Sequence, residues 1–330
     1  MIIHRAEAEA IARSALARYV PASPSTELSL VNLSENATFV VRRRDAPPAV
    51  LRVHRSGYQS AETIASELDW LEAVRRDTDV STPGVIRSLD DQRVVSLEHR
   101  GEQRHVVMFE WMAGVSPEAD GLDEAAFRRL GTITASLHEH ARSWTRPQGF
   151  IRFSWEWENT LGENGRWGRW QDGGHLDDGD LRGMEAAGDL VRRRLAAFGA
   201  GPDRFGLVHA DLRLANLLVA GDDVTVIDFD DSGFSWFLYD FGAAVSFMED
   251  DPRLPRWQAA WLDGYRSVSA LPPEHEEMLP TFVLLRRMLL LAWMGSHSHT
   301  REVAEMGPRY AAGTAAMAAR YVASGGTALT

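Results

Sequence analysis

The sequence predicts an α+β protein, with antiparallel strands concentrated in its first third and helices in the remainder. Two patterns carry this. Residues 28–55 and 81–114 alternate apolar and polar positions at the two-residue period of half-buried strands, whereas from Asp123 onward apolar positions recur at helical spacing. At 330 residues the chain has room for about two domains or one large one. Its 45% hydrophobic and 25% charged residues are those of an ordinary globular protein, not of a disordered or fibrous chain.

The elements follow in order. Residues 1–20 mix glutamates, arginines and alanines without an apolar run, so they read as an amphipathic helix and not as a secretion signal. PASPS (21–25) breaks it. The stretch 28–55 then predicts at least two strands joined by a turn at Asp45–Pro48. In the second strand Val50, Arg52 and His54 share one face and Leu51 and Val53 the other. Residues 59–76 switch to helical period, and Glu67 borders the buried stripe of that helix. A carboxylate there needs a partner, because an unpaired buried charge costs several kcal/mol. Residues 81–114 supply two or three further strands ending at Met112–Gly114. Asp123 is the expected N-cap of a helix whose core row is Phe127, Leu130, Ile133 and Leu137. A boundary near Ala113–Pro117 divides the chain into domains 1–113 and 114–330. Five tryptophans between 144 and 179 are expected mainly in core packing, with a share in walling a substrate pocket. A helix spans Leu181–Phe198 and stops at Gly199. The runs 217–219 and 224–228 form a hairpin around a four-residue loop, and the apolar run 281–295 is a buried helix, too short to span a bilayer and carrying Arg286 and Arg287.

Absences narrow the chemistry. The chain has no cysteine, which excludes disulfides, thiolate nucleophiles and cysteine zinc sites. All 35 of its basic residues are arginine, which excludes Schiff-base chemistry and a lysine P-loop. A net charge of −12 repels phosphate backbones, so no nucleic-acid or membrane partner is expected. Nothing in the N-terminal residues reads as an export signal, and a cytoplasmic location is expected.

The informative segment is HADLRLANLLVAGDDVTVIDFDDSG (209–233). If Val219 faces Val224, Asn216 lies opposite Ile227 with Asp228 beside it. An amide oxygen and a carboxylate at that spacing suit a hard cation such as Mg²⁺, which takes its remaining ligands from water and phosphates. Asp211, five residues before Asn216, stands near enough to accept a proton from a nucleophile.

HADLRLAN has the form H-x-D-x-x-x-x-N, and VIDFDD follows it as a metal-binding strand. Together they resemble the aminoglycoside phosphotransferase and choline kinase family, relatives of protein kinases, and the resemblance spans nearly the whole chain. SENATFVV (34–41) is similar to the family's nucleotide-covering turn, with Ser34 and Asn36. VLRVHR (50–55) is similar to the strand that carries its phosphate-binding lysine, and SELDWLEAV (66–74) to the helix of its paired glutamate, Glu67. MFEWMAG (108–114) looks like the hinge and YDFGAAV (239–245) like the helix after the metal site. The resemblance implies a two-lobed protein-kinase-like fold, with 1–113 as nucleotide-binding lobe and 114–330 as catalytic and substrate lobe. It implies ATP or GTP and Mg²⁺ as cofactors and a small-molecule hydroxyl as acceptor. Asp211 would be the catalytic base, Asn216 and Asp228 the metal ligands, and Asp230 a further metal or substrate carboxylate. The backbone around Glu110 and Met112 would meet the base, while His209 and Asp240 would order the site. One departure matters: Arg52 stands where the family has lysine, and the exchange is not conservative.

Two competing readings remain. A protein Ser/Thr kinase would want an Ala-Pro-Glu signature and a long activation loop between Asp228 and Asp240, and the sequence has neither. A silent nucleotide-binding module is motivated only by the missing lysine. Carboxylates at Asp172, Asp177, Asp178, Asp180 and Asp231 hint at an amine-bearing acceptor such as an aminoglycoside, a choline-like alcohol or a hydroxy amino acid. DFDDSG also imitates a calcium loop, but Tyr239 replaces the glutamate at position twelve and that reading fails. His297 and His299 are expected at a helix end or loop.

Overall fold

The computed structural model describes residues 4–21, 25–298 and 301–329. His299 and most of the 21–25 breaker lie outside the described residues.

Along the chain, α1 (Arg5–Tyr19) leads into β1 (Glu27–Leu33), β2 (Ala37–Arg43) and β3 (Ala46–Val53). Then come α2 (Ala61–Asp77), β4 (Val85–Ile86), β5 (Val95–His99), β6 (Glu102–Glu110) and α3 (Glu124–Ser143). The short α4 (Trp157–Thr160) precedes α5 (Asp178–Phe198) and β7 (Phe205–Val208). After them come the hairpin β8 (Leu217–Ala220) and β9 (Asp223–Val226), β10 (Gly233–Trp236) and α6 (Tyr239–Ala244). The chain closes with α7 (Leu254–Arg266), α8 (Pro273–Glu276), α9 (Leu279–Ser296) and α10 (Arg301–Ala323).

Two compact units result. The first comprises residues 1–116, 145–152 and 217–230, and the second 117–144, 153–216 and 231–330. In the first unit, six antiparallel strands run in the order β1-β2-β3-β6-β4, with β5 also on β6. One face of the sheet is covered by α1, whose Ile11, Ala15 and Tyr19 join Phe39, Leu51 and Val106 in a buried cluster. The Tyr19 hydroxyl donates to the Val106 carbonyl at 3.0 Å.

One feature fills in the sequence reading and two differ from it. The stretch 28–55 holds three strands, because Ser34–Asn36 turns the chain once more. The second turn sits at Arg44–Asp45, and Pro47 and Pro48 lie inside β3. The β2–β3 register shifts between Val41 and Arg43 beside them, where a residue without an N–H costs no ladder bond. The β8–β9 loop has two residues, Gly221 and Asp222, because Ala220 pairs with Asp223. Gly221 takes φ 64°, which only a side chain-free residue adopts readily. Val219 faces Val224 as expected.

The second unit is mainly helical. Asp123 caps α3 by accepting from the Ala126 N–H. Gly131 of α3 and Gly264 of α7 let those helices touch backbone to backbone, since a Cβ at either would fall within about 2 Å of a carbonyl oxygen across the contact. Asp177 caps α5 by accepting from Gly179 and Asp180, so much of the acidic run there begins a helix. The apolar run is α9, and 14 of its 18 residues are buried inside the protein. Both its arginines are buried and paired. Arg287 donates to Glu249 at 2.9 Å and Asp250 at 2.6 Å, and Arg286 reaches Asp211. Such pairing is what makes a buried arginine tolerable.

Candidate active site

In the first unit a cavity of about 250 Å³ opens over the sheet. Val40, Val50, Leu71, Phe109, Leu218 and Ile227 give it apolar walls, and Glu110, Met112 and Gly114 line it from the end of β6 and the segment after it. Arg52, Glu67 and Asp228 supply its charged groups. An apolar slot with a few placed charges is the make-up of a small-ligand site, and a flat base with a polyphosphate tail matches it.

Arg52 organises the charged groups. It is 6% exposed, and its Nη2 pairs with Glu67 while its Nη1 donates to Asp228 Oδ1 at 3.0 Å. Its guanidinium lies 5.0 Å from the Phe109 ring centroid. Period-two alternation in β3 turns Arg52 away from the α1 core, and α2, begun by a Ser60–Thr63 capping box, carries Glu67 to meet it. Burial pushes the Glu67 carboxyl up to about 7 against the pull of Arg52, while its acidic neighbours outweigh burial and keep Arg52 protonated. Asp228 follows β9 with φ 64°, a strained value for a side chain-bearing residue and one that clusters at functional sites.

Asp230 is used differently from expectation. Its Oδ2 accepts from Asn36 at 3.0 Å, its Oδ1 lies 3.3 Å from His54 Nδ1, and its carbonyl accepts from Gln59 and Arg152. Burial would raise this carboxyl, but the adjoining His54 ring, Arg52 and the Asn36 amide hold it well below the ordinary range. Burial, reinforced by Arg52, lowers His54 to about 4, so its ring is neutral. Asp230 therefore fastens the segment after β9 to the sheet. Asn36, expected to face the nucleotide, shares this cluster and also accepts from the Arg55 N–H at 3.0 Å. Ser34 is exposed on the β1–β2 turn, accepting from the Asn32 amide. The Glu110 side chain is held by Arg75 at 2.9 Å and by the Gly84 N–H, and its own N–H is taken by the Gly84 carbonyl at 2.8 Å.

In the second unit the segment after β7 is shaped around Asp240. This buried carboxylate accepts from the N–H groups of His209 at 3.1 Å and Ala210 at 2.7 Å, and from His138 Nε2 at 3.0 Å. His138 Nδ1 meets the Tyr265 hydroxyl at 3.0 Å, and burial lowers the His138 pKa so that it stays neutral. His209 Nδ1 accepts from the Asp211 N–H at 3.3 Å. Ala210, at φ 66°, is bent so that Asp211 leaves the loop. Asp211 Oδ1 is bound by Arg286, and Oδ2 accepts from Asn216 at 2.6 Å and Arg213 at 3.1 Å. Burial would raise the Asp211 pKa, but Arg213 and Arg286 outweigh it and lower the value. The Asn216 amide nitrogen also donates to the Asp211 carbonyl at 2.8 Å, which leaves its amide oxygen as the atom a cation would use.

Among the described residues no three His, Asp or Glu side chains gather as a ready-made metal cage. Mg²⁺ takes one or two protein oxygens and completes its shell from phosphates and water. The Asn216 amide oxygen and the half-exposed Asp228 carboxylate are of the right kind.

The sequence profile described as the phosphotransferase enzyme family matches residues 29–278, well over half of the chain. The chain belongs to this phosphotransferase family. Its fold is that of the protein-kinase-like phosphotransferases, and the enzyme moves the γ-phosphoryl group of a nucleoside triphosphate to a small-molecule hydroxyl. A solved structure of a microcompartment-associated aminopropanol kinase is 52% identical, covers 98% of this chain and 100% of its own, and superposes with a TM-score of 0.90. The amicoumacin kinase of Bacillus subtilis (strain 168) is 23% identical over 258 residues, 75% of this chain and 74% of that protein. A further amicoumacin kinase, solved with AMP-PNP and Ca²⁺, shares the fold at a TM-score of 0.77 with 18% identity, covering 93% of each chain.

Arg286, Arg213, Arg152 and His138 escaped the sequence reading. Arg213 stands inside the quoted motif and had a local signal. The others come from distant segments and had none beyond the oddity of two arginines in an apolar helix.

Proposed function

We propose that this phosphotransferase uses ATP to phosphorylate the hydroxyl of a small amino alcohol, with aminopropanol as the leading acceptor. The observation that carries this is the 52% identity, over essentially both full lengths, to the aminopropanol kinase. Asp211 accepts the acceptor's hydroxyl proton, and Asn216 and Asp228 hold the cation. A bound divalent cation would neutralise the phosphate charge that grows during transfer. Arg52, anchored by Glu67, steers the phosphates, and the apolar cavity takes the adenine against the backbone near Glu110 and Met112. Of the five carboxylates that hinted at an amine, Asp231 alone is buried in the second unit; its charge reaches Tyr239 and Arg286. Trp155 stacks on Tyr239 at 6.4 Å and meets Trp167 edge-on at 5.2 Å. These rings are buried in packing, so Asp231 is the group we assign to an ammonium. An enzyme that consumes ATP works where ATP is supplied, and we place it in the cytoplasm.

The test is a panel of acceptors with ATP and magnesium: aminopropanol, propanol, propylamine, choline, homoserine, an aminoglycoside and a Ser/Thr peptide. The reading requires aminopropanol to exceed propanol by at least about tenfold in kcat/KM, the worth of one charge-assisted contact. Preference for the peptide, or equal use of propanol, would overturn it.

A further inference from the structure

α9 is apolar on nearly every side, yet Arg286 sits in its middle at 1% exposure. Placing a guanidinium there costs several kcal/mol unless its donors are met, and they are met at one place. Nε donates to Ser246 Oγ at 3.1 Å, Nη1 to the Ala210 carbonyl and the Tyr239 hydroxyl, both at 3.2 Å, and Nη2 to Asp211 Oδ1. The Trp167 ring lies across the guanidinium at 5.0 Å. Arg286 thus grips both the strained residue before Asp211 and one oxygen of Asp211 itself. The other oxygen is held differently. Its cationic partner, Arg213, has a side chain 40% exposed to solvent, and its remaining donor, Asn216, is neutral.

We propose that Arg286 is a positioning residue for phosphoryl transfer, one that immobilises Oδ1 of Asp211 and leaves Oδ2 to meet the acceptor. The inference rests on the reading of Asp211 as the base. In the step it serves, the hydroxyl proton passes to Oδ2 as the acceptor oxygen bonds to the γ-phosphorus. The bond from that phosphorus to the bridging oxygen breaks, and its electron pair leaves with ADP. Oδ1, closed off by a buried and multiply bonded cation, takes no part. A fixed carboxylate presents one oxygen at one angle, and misplacement of a base by an ångström can cost about a hundredfold.

The test compares Arg286→Gln, Arg286→Lys and Asp211→Asn with the parent in kcat, KM for ATP and aminopropanol, and the Kd of AMP-PNP by calorimetry. Arg286→Gln should lower kcat by about a hundredfold with the AMP-PNP Kd unchanged within about threefold. Arg286→Lys, which keeps a cation on Oδ1 but cannot hold every partner, should recover about tenfold of that loss. A merely structural arginine would move nucleotide binding and kcat together. Parental kcat in Arg286→Gln, or a lysine variant no better than the glutamine one, overturns the proposal while an inactive Asp211→Asn leaves the base reading standing. An active Asp211→Asn removes the base reading and this inference with it. If the glutamine variant does not fold, the lysine variant decides: reduced kcat with parental AMP-PNP affinity supports the assignment, and parental kcat refutes it.

Discussion

Removing Arg52 perturbs the first unit most directly. Its side chain is buried against Glu67, which is 1% exposed, and it also holds Asp228. Arg52→Met leaves the Glu67 carboxyl buried without its cation, to stay charged or to take up a proton, and breaking a buried pair from one side costs up to about 3–5 kcal/mol. The pair Arg52→Met with Glu67→Leu removes both charges and should regain at least half of that loss, because neither then bears a desolvation penalty. Nucleotide binding should respond separately. A charge-assisted contact to phosphate contributes about 1.5–3 kcal/mol, so both variants should bind AMP-PNP about 10–100-fold more weakly. Arg52→Lys should hold nucleotide affinity at or above the parental level, since a compact ammonium suits a phosphate as a point charge. Denaturant unfolding and calorimetry with AMP-PNP measure the two effects. A stability loss below about 1 kcal/mol for Arg52→Met, together with unchanged nucleotide affinity, would refute the role given to Arg52.

Other consequences are as direct. Asp228→Asn should bind AMP-PNP in the absence of metal like the parent but lose the gain in affinity that magnesium brings; an undiminished magnesium effect would remove Asp228 from the cation site. Asp240→Ala strands two buried N–H groups and His138, so it should cost about 3 kcal/mol or more in denaturant unfolding, and a neutral outcome would contradict the loop architecture. Burial raises the Glu67 pKa from 4.5 in the unfolded chain to about 7 in the fold. The folded state therefore holds a proton that the unfolded chain releases. Stability from this group is complete below the unfolded value and is lost as pH rises through about 7. Melting temperatures recorded from about pH 5 to pH 8.5 should fall less in Glu67→Gln than in the parent, and an identical slope would show Glu67 ionised throughout.

Much of this was legible because it is local. Alternation in β3 places Arg52 off the core face, helical spacing carries Glu67 into the buried stripe, and the Val219–Val224 register follows from two short β-rich runs. What was missed depends on chain return. Asp211 and Arg286 are 75 residues apart, and no periodicity links an arginine in an apolar helix to a carboxylate on a loop. Asp230 reads as a ligand because it lies two residues after Asp228, yet the left-handed backbone at Asp228 (φ 64°) breaks the strand period and Asp230 packs against Asn36 and His54. Pro47 and Pro48 read as a turn, since only a register shift set by the partner strand lets them lie within β3.

With Asp211 as base, transfer of the γ-phosphoryl group of ATP to a small amino alcohol leaves a phosphate ester and ADP. The most direct measurement follows the reaction of the purified enzyme with ATP, magnesium and aminopropanol by phosphorus NMR. An O-phosphorylated amino alcohol should form in step with ADP, and none should form with Asp211→Asn although that variant still binds AMP-PNP. Formation of ADP and free phosphate alone, or an undiminished yield from Asp211→Asn, would contradict it.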